Sequence, residues 1–289
     1  MGFERDPLLK GAALAFRDDA ALYAELRQES RGYALVNAKR FELPPGLVQE
    51  DRIEDGAALG RFLIKECALS WKLPLAVGLP SSECLFRRVQ PTGTTGSPGE
   101  VQAWSFPFSR ADSLWNTYRC SSANLGFMLV ACPKARVVPL LDELHGFRRR
   151  LDALEPQIVA GARALTGTDE GSDIFLVIVM GGLVNVVFLH DGDALMFRSF
   201  SLPAGESSAG KLDEELRLTR SQIVKDFNMQ PSHILLAGDP ALATQVPSLS
   251  GAVVRRIGDV RRLRFVAPAR EDWYDVAGLL LRYADEDFV

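Results

Sequence analysis

The sequence predicts an α/β protein built as two similar lobes, and three observations carry that reading. From Ser172 to Leu212 the chain runs through three segments rich in β-branched and aromatic residues, joined at Gly181-Gly182 and Asp191-Gly192, into a helix start. Asp-Gly between such runs is a strong hairpin signal, because a two-residue turn of that type needs positive φ at both positions. The same strand–turn–strand–turn–strand order recurs from Gly11 to Leu43, in layout rather than in residues. Beyond both openings, strand-like and helix-like stretches alternate, which is the pattern of α/β layers.

In the first half, Gly11 to Phe16 reads as a short apolar strand, Arg17-Asp18-Asp19 as its turn and Ala20 to Leu26 as the return. Arg31-Gly32 turns the chain again into a third strand, Ala34 to Leu43, which Pro44-Pro45-Gly46 ends. Asp55 to Leu69 spaces its apolar residues as a helix does, with Asp55 as the N-cap. Leu75 to Gly78 is a short buried strand stopping before Pro80, and Gln90 to Glu100, mostly Gly, Thr and Pro, is a loop. Leu125 to Ala131 reads as a strand and Val137 to Phe147 as a helix, while Pro156 breaks Leu151 to Leu165 in two. In the second half, Ser208 to Phe227 is a long amphipathic helix, and His233 to Ala237 a buried strand ending at Gly238-Asp239-Pro240. Trp273 to Tyr283 is a closing helix.

Composition narrows the class. The 289 residues are 47% hydrophobic and 24% charged with a formal net charge of −4, which argues against nucleic acid as the main partner. The basic clusters Arg148-Arg149-Arg150 and Arg255 to Arg264 read as solvated helix or turn faces. Cys67, Cys84, Cys120 and Cys132 show no C-x-x-C spacing and read as free thiols of a reducing compartment. The opening MGFERDPLL lacks the apolar core of a signal peptide. Ile174 to Leu189 is uncharged, but it falls short of the roughly 18 residues of a spanning helix and is interrupted by Gly181-Gly182 and Asn185. Buried strands account for it better.

Six stretches carry a family likeness: FELPPG, LAVGLPSSECLFRR, GFMLVACPKARVVPLLDEL, DGDALMFRSFSLPAGE, HILLAGD and VAGLLLR. In this order and at about this spacing the chain resembles PilM, the actin-like cytoplasmic family of type IV pilus assembly. The resemblance implies an α/β, actin-like (ribonuclease H-like) two-lobed fold with an inserted small subdomain. Residues 1–85 and 147–168 would form the first lobe, 86–146 the insert and 169–289 the second lobe. It also implies a cytoplasmic platform, peripheral to the inner membrane, that grips the short cytoplasmic tail of a membrane-anchored, PilN-like partner. Nucleic acid is not expected as a partner, and a homo-oligomer is left open.

Members of that family carry two Asp-x-Gly phosphate turns and a paired-glycine nucleotide loop, and this chain departs from all three. The first turn, AFRDD, offers Asp18 and Asp19 but no glycine. The second, counted back from Asp191, puts Ile178 where the acid belongs and Met180 where glycine belongs, ahead of Gly181-Gly182. The third reads Gly238-Asp239. Phosphates approach backbone N–H groups only where side chains are small, and magnesium needs oxygen ligands that neither Ile178 nor Met180 supplies. The expectation is a degenerate nucleotide cleft with no cofactor, no metal and no ATP turnover. Asp18 and Asp19 stay open between a polar hairpin turn and a residual metal ligand.

Two other motifs compete within GESSAGKL, Gly205 to Leu212. A P-loop fits until Leu212 replaces its magnesium-binding hydroxyl, and the strands before it form a meander rather than a parallel unit. A hydrolase elbow at Ser207 or Ser208 would need Asp226 and His233, which follow too soon, and no oxyanion motif precedes. A helix N-terminus capped by Ser207 or Ser208 is the plain reading. His145 and His190 add no ligand cluster. If the family's mode holds, the partner groove lies between the large subdomain and the insert, near Pro80 to Arg88 and Trp104 to Trp115. Trp104, Phe106, Phe108 and Trp115 are then either peptide anchors or ordinary core. Two alternatives remain: an active actin-like ATPase or sugar-kinase relative, and the cytoplasmic domain of a type II secretion L component.

Overall fold

The structure, a computed structural model, describes residues 8–30, 32–67, 72–89, 106–120, 126–146, 151–165, 173–180, 182–202, 207–238, 253–256, 263–265 and 273–284. In chain order the first elements are β1 (Leu9–Phe16), β2 (Ala20–Glu29), β3 (Gly32–Glu42), β4 (Val48–Gln49), β5 (Arg52–Ile53), α1 (Gly56–Glu66), β6 (Leu75–Leu79) and β7 (Leu85–Val89). There follow β8 (Ser113–Arg119), β9 (Phe127–Pro133), α2 (Lys134–Gly146), β10 (Leu151–Pro156) and α3 (Gln157–Leu165). The remainder comprises β11 (Asp173–Met180), β12 (Leu183–His190), β13 (Asp193–Ser201), α4 (Ser207–Phe227), β14 (His233–Gly238), β15 (Val253–Arg256), β16 (Leu263–Phe265) and α5 (Tyr274–Leu280).

The chain divides into two compact units. One holds Met1–Cys84, Pro133–Gly167 and Asp259–Val289, the other Leu85–Cys132 and Thr168–Gly258. This differs from the division expected from the sequence, 1–85 with 147–168, 86–146 and 169–289. Helix α2, expected in the insert, packs on α1 in the first unit, and the close fit shows why: a Cβ on Gly56 or Gly60 of α1 would overlap Arg136 or Glu143 of α2. The C-terminal elements return to the first unit because β16 pairs in parallel with β3, a long-range partnership that local sequence does not encode.

The first unit is built on a six-stranded sheet of order β10-β6-β1-β2-β3-β16. β1, β2 and β3 form two consecutive antiparallel hairpins, and β6 and β10 add in parallel beside β1. Ala12 through Phe16 of β1 are all at most 1% exposed, as continuous apolar runs are in sheets covered on both faces. Asp55 caps α1 by accepting from Ala58 N at 2.9 Å, as its position predicts, and Pro156 marks the change from β10 to α3. Helices α3 and α5 pack tightly, since a Cβ on Gly278 would overlap the Ala160 carbonyl.

The second unit contains a five-stranded sheet of order β13-β12-β11-β14-β15 and a three-stranded one of order β7-β9-β8. Hairpins β11–β12 and β12–β13 are antiparallel, and β14 and β15 add in parallel beside β11. The β12–β13 turn is the Asp-Gly turn expected, with φ of 49° at Asp191 and 84° at Gly192. Helix α4 covers one sheet face with Leu212, Leu216, Thr219 and Ile223, all fully buried and spaced as one helical stripe. Ile174 to Leu189 is thus strand, and among the described residues no helix is long and apolar enough to cross a membrane.

The openings of the two units are topologically the same: hairpin, hairpin, crossover, then parallel strands added beside the first. The likeness of layout read from the sequence is therefore real. Two other readings change. Arg255, Arg256 and Arg264 lie on strands β15 and β16 rather than on helix or turn faces. Arg148-Arg149-Arg150 and the loop Gln90 to Glu100 lie outside the described residues.

Candidate functional site

The first turn closes between β1 and β2, where Arg17 N donates to Ala20 O at 2.7 Å and Ala20 N to Arg17 O at 3.3 Å. Asp18 and Asp19 stand at its tip and both serve the protein's own structure. Asp18 accepts from Glu50 N at 3.0 Å and from Asp51 N at 2.8 Å, which holds the β4–β5 turn whose two residues have φ of 50° and 57°. Asp19 pairs with Arg40 at 2.6 Å, largely in solvent. These contacts are those of the polar hairpin turn that the sequence offered beside the metal reading.

Behind the tip the chain has installed its own charge pair. Arg17 donates to both carboxylate oxygens of Asp275, at 2.7 and 3.0 Å, and Asp275 is completely buried at the start of α5. Gln157 clamps the end of β1: its Oε1 accepts from Phe16 N at 2.8 Å and its Nε2 donates to Phe16 O at 3.0 Å. That amide satisfies backbone groups that would otherwise be buried without partners. Asp51, also buried, accepts from Ser82 N at 2.8 Å. Burial pushes its carboxyl up to about 6, against the hydrogen bonds from Ser82 and the positive charge of Arg17.

The second turn closes at the Met180–Leu183 pair, and Gly182 has φ of 86°. Ile178 is 1% exposed in the middle of β11, paired with Asn185 of β12 and Ala237 of β14. At the third position Gly238 has φ of 97°, and a Cβ there would overlap the Val179 backbone. Glycine is required at 238 by the close approach of β14 to β11. Gly181, Asp239 and the side chain of Met180 lie outside what the structure describes.

Among the described residues, Ile178, Asp18 and Arg17 are not arranged to hold a magnesium–nucleotide. The acid position of the second turn is a buried hydrocarbon, the carboxylate of the first already holds two backbone N–H groups, and the nearby guanidinium is committed to Asp275. Among the described residues no group of three or more His, Cys, Asp or Glu could hold a metal. The rival motifs fare no better. Lys211 pairs with Glu215 at 2.7 Å within α4, while Asp226 accepts from Gln222 and His233 meets Ser232, so the acid and base of the elbow reading have other partners.

A different feature stands out within the second unit. A cavity of about 450 Å³ is lined by Phe86, Arg87 and Arg88 of β7, Met128 of β9, Leu195, Met196 and Phe197 of β13, and Asp226 and Phe227 at the end of α4. Phe86 and Phe197 stack with ring centroids 4.2 Å apart, and the Arg88 guanidinium lies 5.0 Å from the Phe227 ring centre. The segment Pro80 to Arg88, singled out from the sequence, contributes its second part to this cavity. Of the aromatic quartet, Phe106, Phe108 and Trp115 do not line it. Phe106 and Phe108 stack on each other at 5.8 Å, Trp115 on β8 carries the Arg110 guanidinium at 4.0 Å, and Trp104 lies outside the described residues.

Sequence reasoning missed Arg17, Asp51, Gln157 and Asp275. Only Asp275 carried a usable signal, since a single acid in the apolar helix WYDVAGLLL demands a buried partner. It likewise missed the β13 and α4 residues of the cavity.

Two duplicated sheet openings with crossover helices define the actin-like ATPase fold, and solved structures agree. A chain of a PilM–PilN type IV pilus biogenesis complex superposes with a TM-score of 0.78 at 15% identity, covering 96% of this chain and 100% of that one. A Bacteroides thetaiotaomicron protein described as having an actin-like ATPase fold matches with a TM-score of 0.57 at 10% identity, over 96% and 98% of the two chains. The cytoplasmic domain of EpsL, an inner membrane component of the type II secretion system of Vibrio cholerae, matches at 0.55 and 10% identity, over 94% and 93%. No protein-family model matches the sequence, and neither does any curated protein.

Proposed function

We propose that this chain is a non-catalytic actin-like scaffold of a type IV pilus or related secretion machine. It works in the cytoplasm, peripheral to the inner membrane, by binding the cytoplasmic tail of a membrane-anchored, PilN-like partner. The observation that carries the reading is the full-length match to a chain of the PilM–PilN complex. The absence of an oxygen ligand at Ile178, and the commitment of Arg17 to Asp275, favour a scaffold over an ATPase. A second reading, the cytoplasmic domain of a type II secretion L component, is favoured by the EpsL match and keeps the same scaffold role.

The test is a pull-down from solubilised inner membranes with the full chain as bait. Recovery of a single-span protein with a short cytoplasmic tail supports the scaffold, and its encoded machine separates the pilus from the secretion reading. Failure to enrich any membrane protein counts against both.

A further inference from the structure

We propose that Cys84 and Cys132 are a modification site, a thiol pair at the end of the β7–β9 ladder that hydrogen peroxide closes reversibly into a disulfide. The inference goes beyond the scaffold reading and does not depend on it.

Three observations carry it. The first is register. β7 and β9 run antiparallel, with Leu85 opposite Ala131, Phe86 opposite Val130 and Arg88 opposite Met128. One step further along both strands, Cys84 stands opposite Cys132. Cys132 is still within β9, and Cys84 continues the line of β7 with extended backbone, φ −106° and ψ 133°. Each cysteine is bonded to a member of the Leu85–Ala131 pair, so their opposition follows from the ladder itself.

The second is reach. Opposed residues of an antiparallel pair have Cα atoms about 4.5 Å apart at non-hydrogen-bonded positions and about 5.5 Å apart at hydrogen-bonded ones. Both separations fall within the roughly 4.4–6.8 Å that a disulfide spans. Cys84 N donates to Ser81 O at 3.2 Å rather than across to β9, as suits the closer, non-hydrogen-bonded kind. Alternation puts both side chains on the ladder face of Phe86, Arg88 and Met128, three residues that line one cavity.

The third is setting. All four cysteines are thiols, and Cys84 and Cys132 are 6% and 4% exposed. Cys67 ends α1 and Cys120 follows β8, so neither stands across a ladder from another cysteine. Burial slows the first attack on peroxide, but once it is made the opposing sulfur is the nucleophile at hand. In that first step a thiolate attacks the peroxide, the O–O bond breaks, and a sulfenic acid and hydroxide result. The second thiolate then attacks the oxidised sulfur, the S–S bond forms and another hydroxide leaves. The two thiol protons convert both hydroxides to water, and two electrons have passed from the sulfurs to the peroxide. A dithiol supplies them again on reduction. Closure fastens β7 to β9 where the chain enters and leaves the three-stranded sheet, a change that reducing surroundings erase.

The experiment is treatment of the full chain with hydrogen peroxide, followed by alkylation, digestion without reductant and peptide mapping by mass spectrometry. The expected product is a peptide pair joined through Cys84 and Cys132 with the loss of two hydrogens, absent after dithiothreitol and absent in Cys132→Ser. In urea, loop closure favours near neighbours in sequence, so the links there should run from Cys120 to Cys132 and from Cys67 to Cys84 instead. That comparison uses the unaltered chain and decides the matter even if the serine variant does not fold. Alkylated, unlinked Cys84 and Cys132 after peroxide overturn the site. So does a native link to Cys67, to Cys120 or between chains, or a Cys84–Cys132 link no more abundant in native buffer than in urea. None of these results bears on the membrane pull-down.

Discussion

The Arg17–Asp275 pair ties the end of β1 to the start of α5 and is a structural element of the first unit. Its side chains are 12% and 0% exposed. Arg17→Ala strands a buried carboxylate and is expected to cost about 3–5 kcal/mol in urea unfolding, whereas Arg17→Met with Asp275→Leu should come close to neutral. Asp51 makes a pH-dependent contribution of definite sign. Its folded value of about 6 exceeds the ordinary aspartate value of 3.8, so the folded chain holds the proton more tightly than the unfolded one. Asp51's contribution to stability is therefore full below about pH 4, is lost as pH rises from there through 6 and is level above it. Asp51→Asn keeps an acceptor for Ser82 and should flatten that profile, raising stability at pH 8 by about 1–3 kcal/mol. A denaturation series over pH 4–8 checks both statements. Of these groups, Asp18 and Asp19 were legible as turn residues, because short acids at a hairpin tip announce themselves. Arg17, Asp51 and Gln157 were not, since their partners lie far away in the chain: Asp275 for Arg17, Ser82 for Asp51 and the Phe16 backbone for Gln157.

At the level of elements, the strongest constraint is small residues at helix contacts. Gly278 of α5 meets the Ala160 carbonyl so closely that any side chain must push two helices apart. Gly278→Ala is expected to destabilise by about 1–3 kcal/mol or more, whereas Ala at solvent-facing Gly210, with nothing near its Cβ, should stabilise by up to about 1 kcal/mol. Thermal unfolding of the two variants gives opposite shifts if this is right. The elements that sequence patterns captured are those with a strong local signature: the Asp55 cap, the Asp-Gly turn, and the 212–216–219–223 stripe of α4. β15 and β16 escaped because short arginine-containing strands take their identity from the neighbour they pair with, β14 and β3. β10 escaped as a strand for the same reason, although Pro156 correctly marked its end.

For the molecule as a whole, the same sheet opening is built twice, and the scaffold reading proposed above takes its turns as structural. Mg-ATP is therefore expected to leave the melting temperature unchanged. A ligand at a hundredfold excess over its Kd would add about 2.7 kcal/mol to native stability, a shift that scanning calorimetry resolves easily. A saturable shift, or measurable phosphate release, would return the chain to the enzyme class. The fold was legible because its duplicated opening repeats along the sequence. The cavity was not, because it joins one predicted segment, Phe86 to Arg88, to a strand and a helix end more than a hundred residues later.

The parallel pairing of β16 with β3 has a consequence for biosynthesis. A ribosome makes β1, β2 and β3 early, yet the strand that completes their sheet and the helix that packs on α3 are translated only after the whole five-stranded sheet. The second unit can condense co-translationally while the first waits with an exposed edge, so the N-terminal half is the later of the two to mature. Loss of β16 would uncover the edge of β3 near the front of the chain, far in sequence from the deletion.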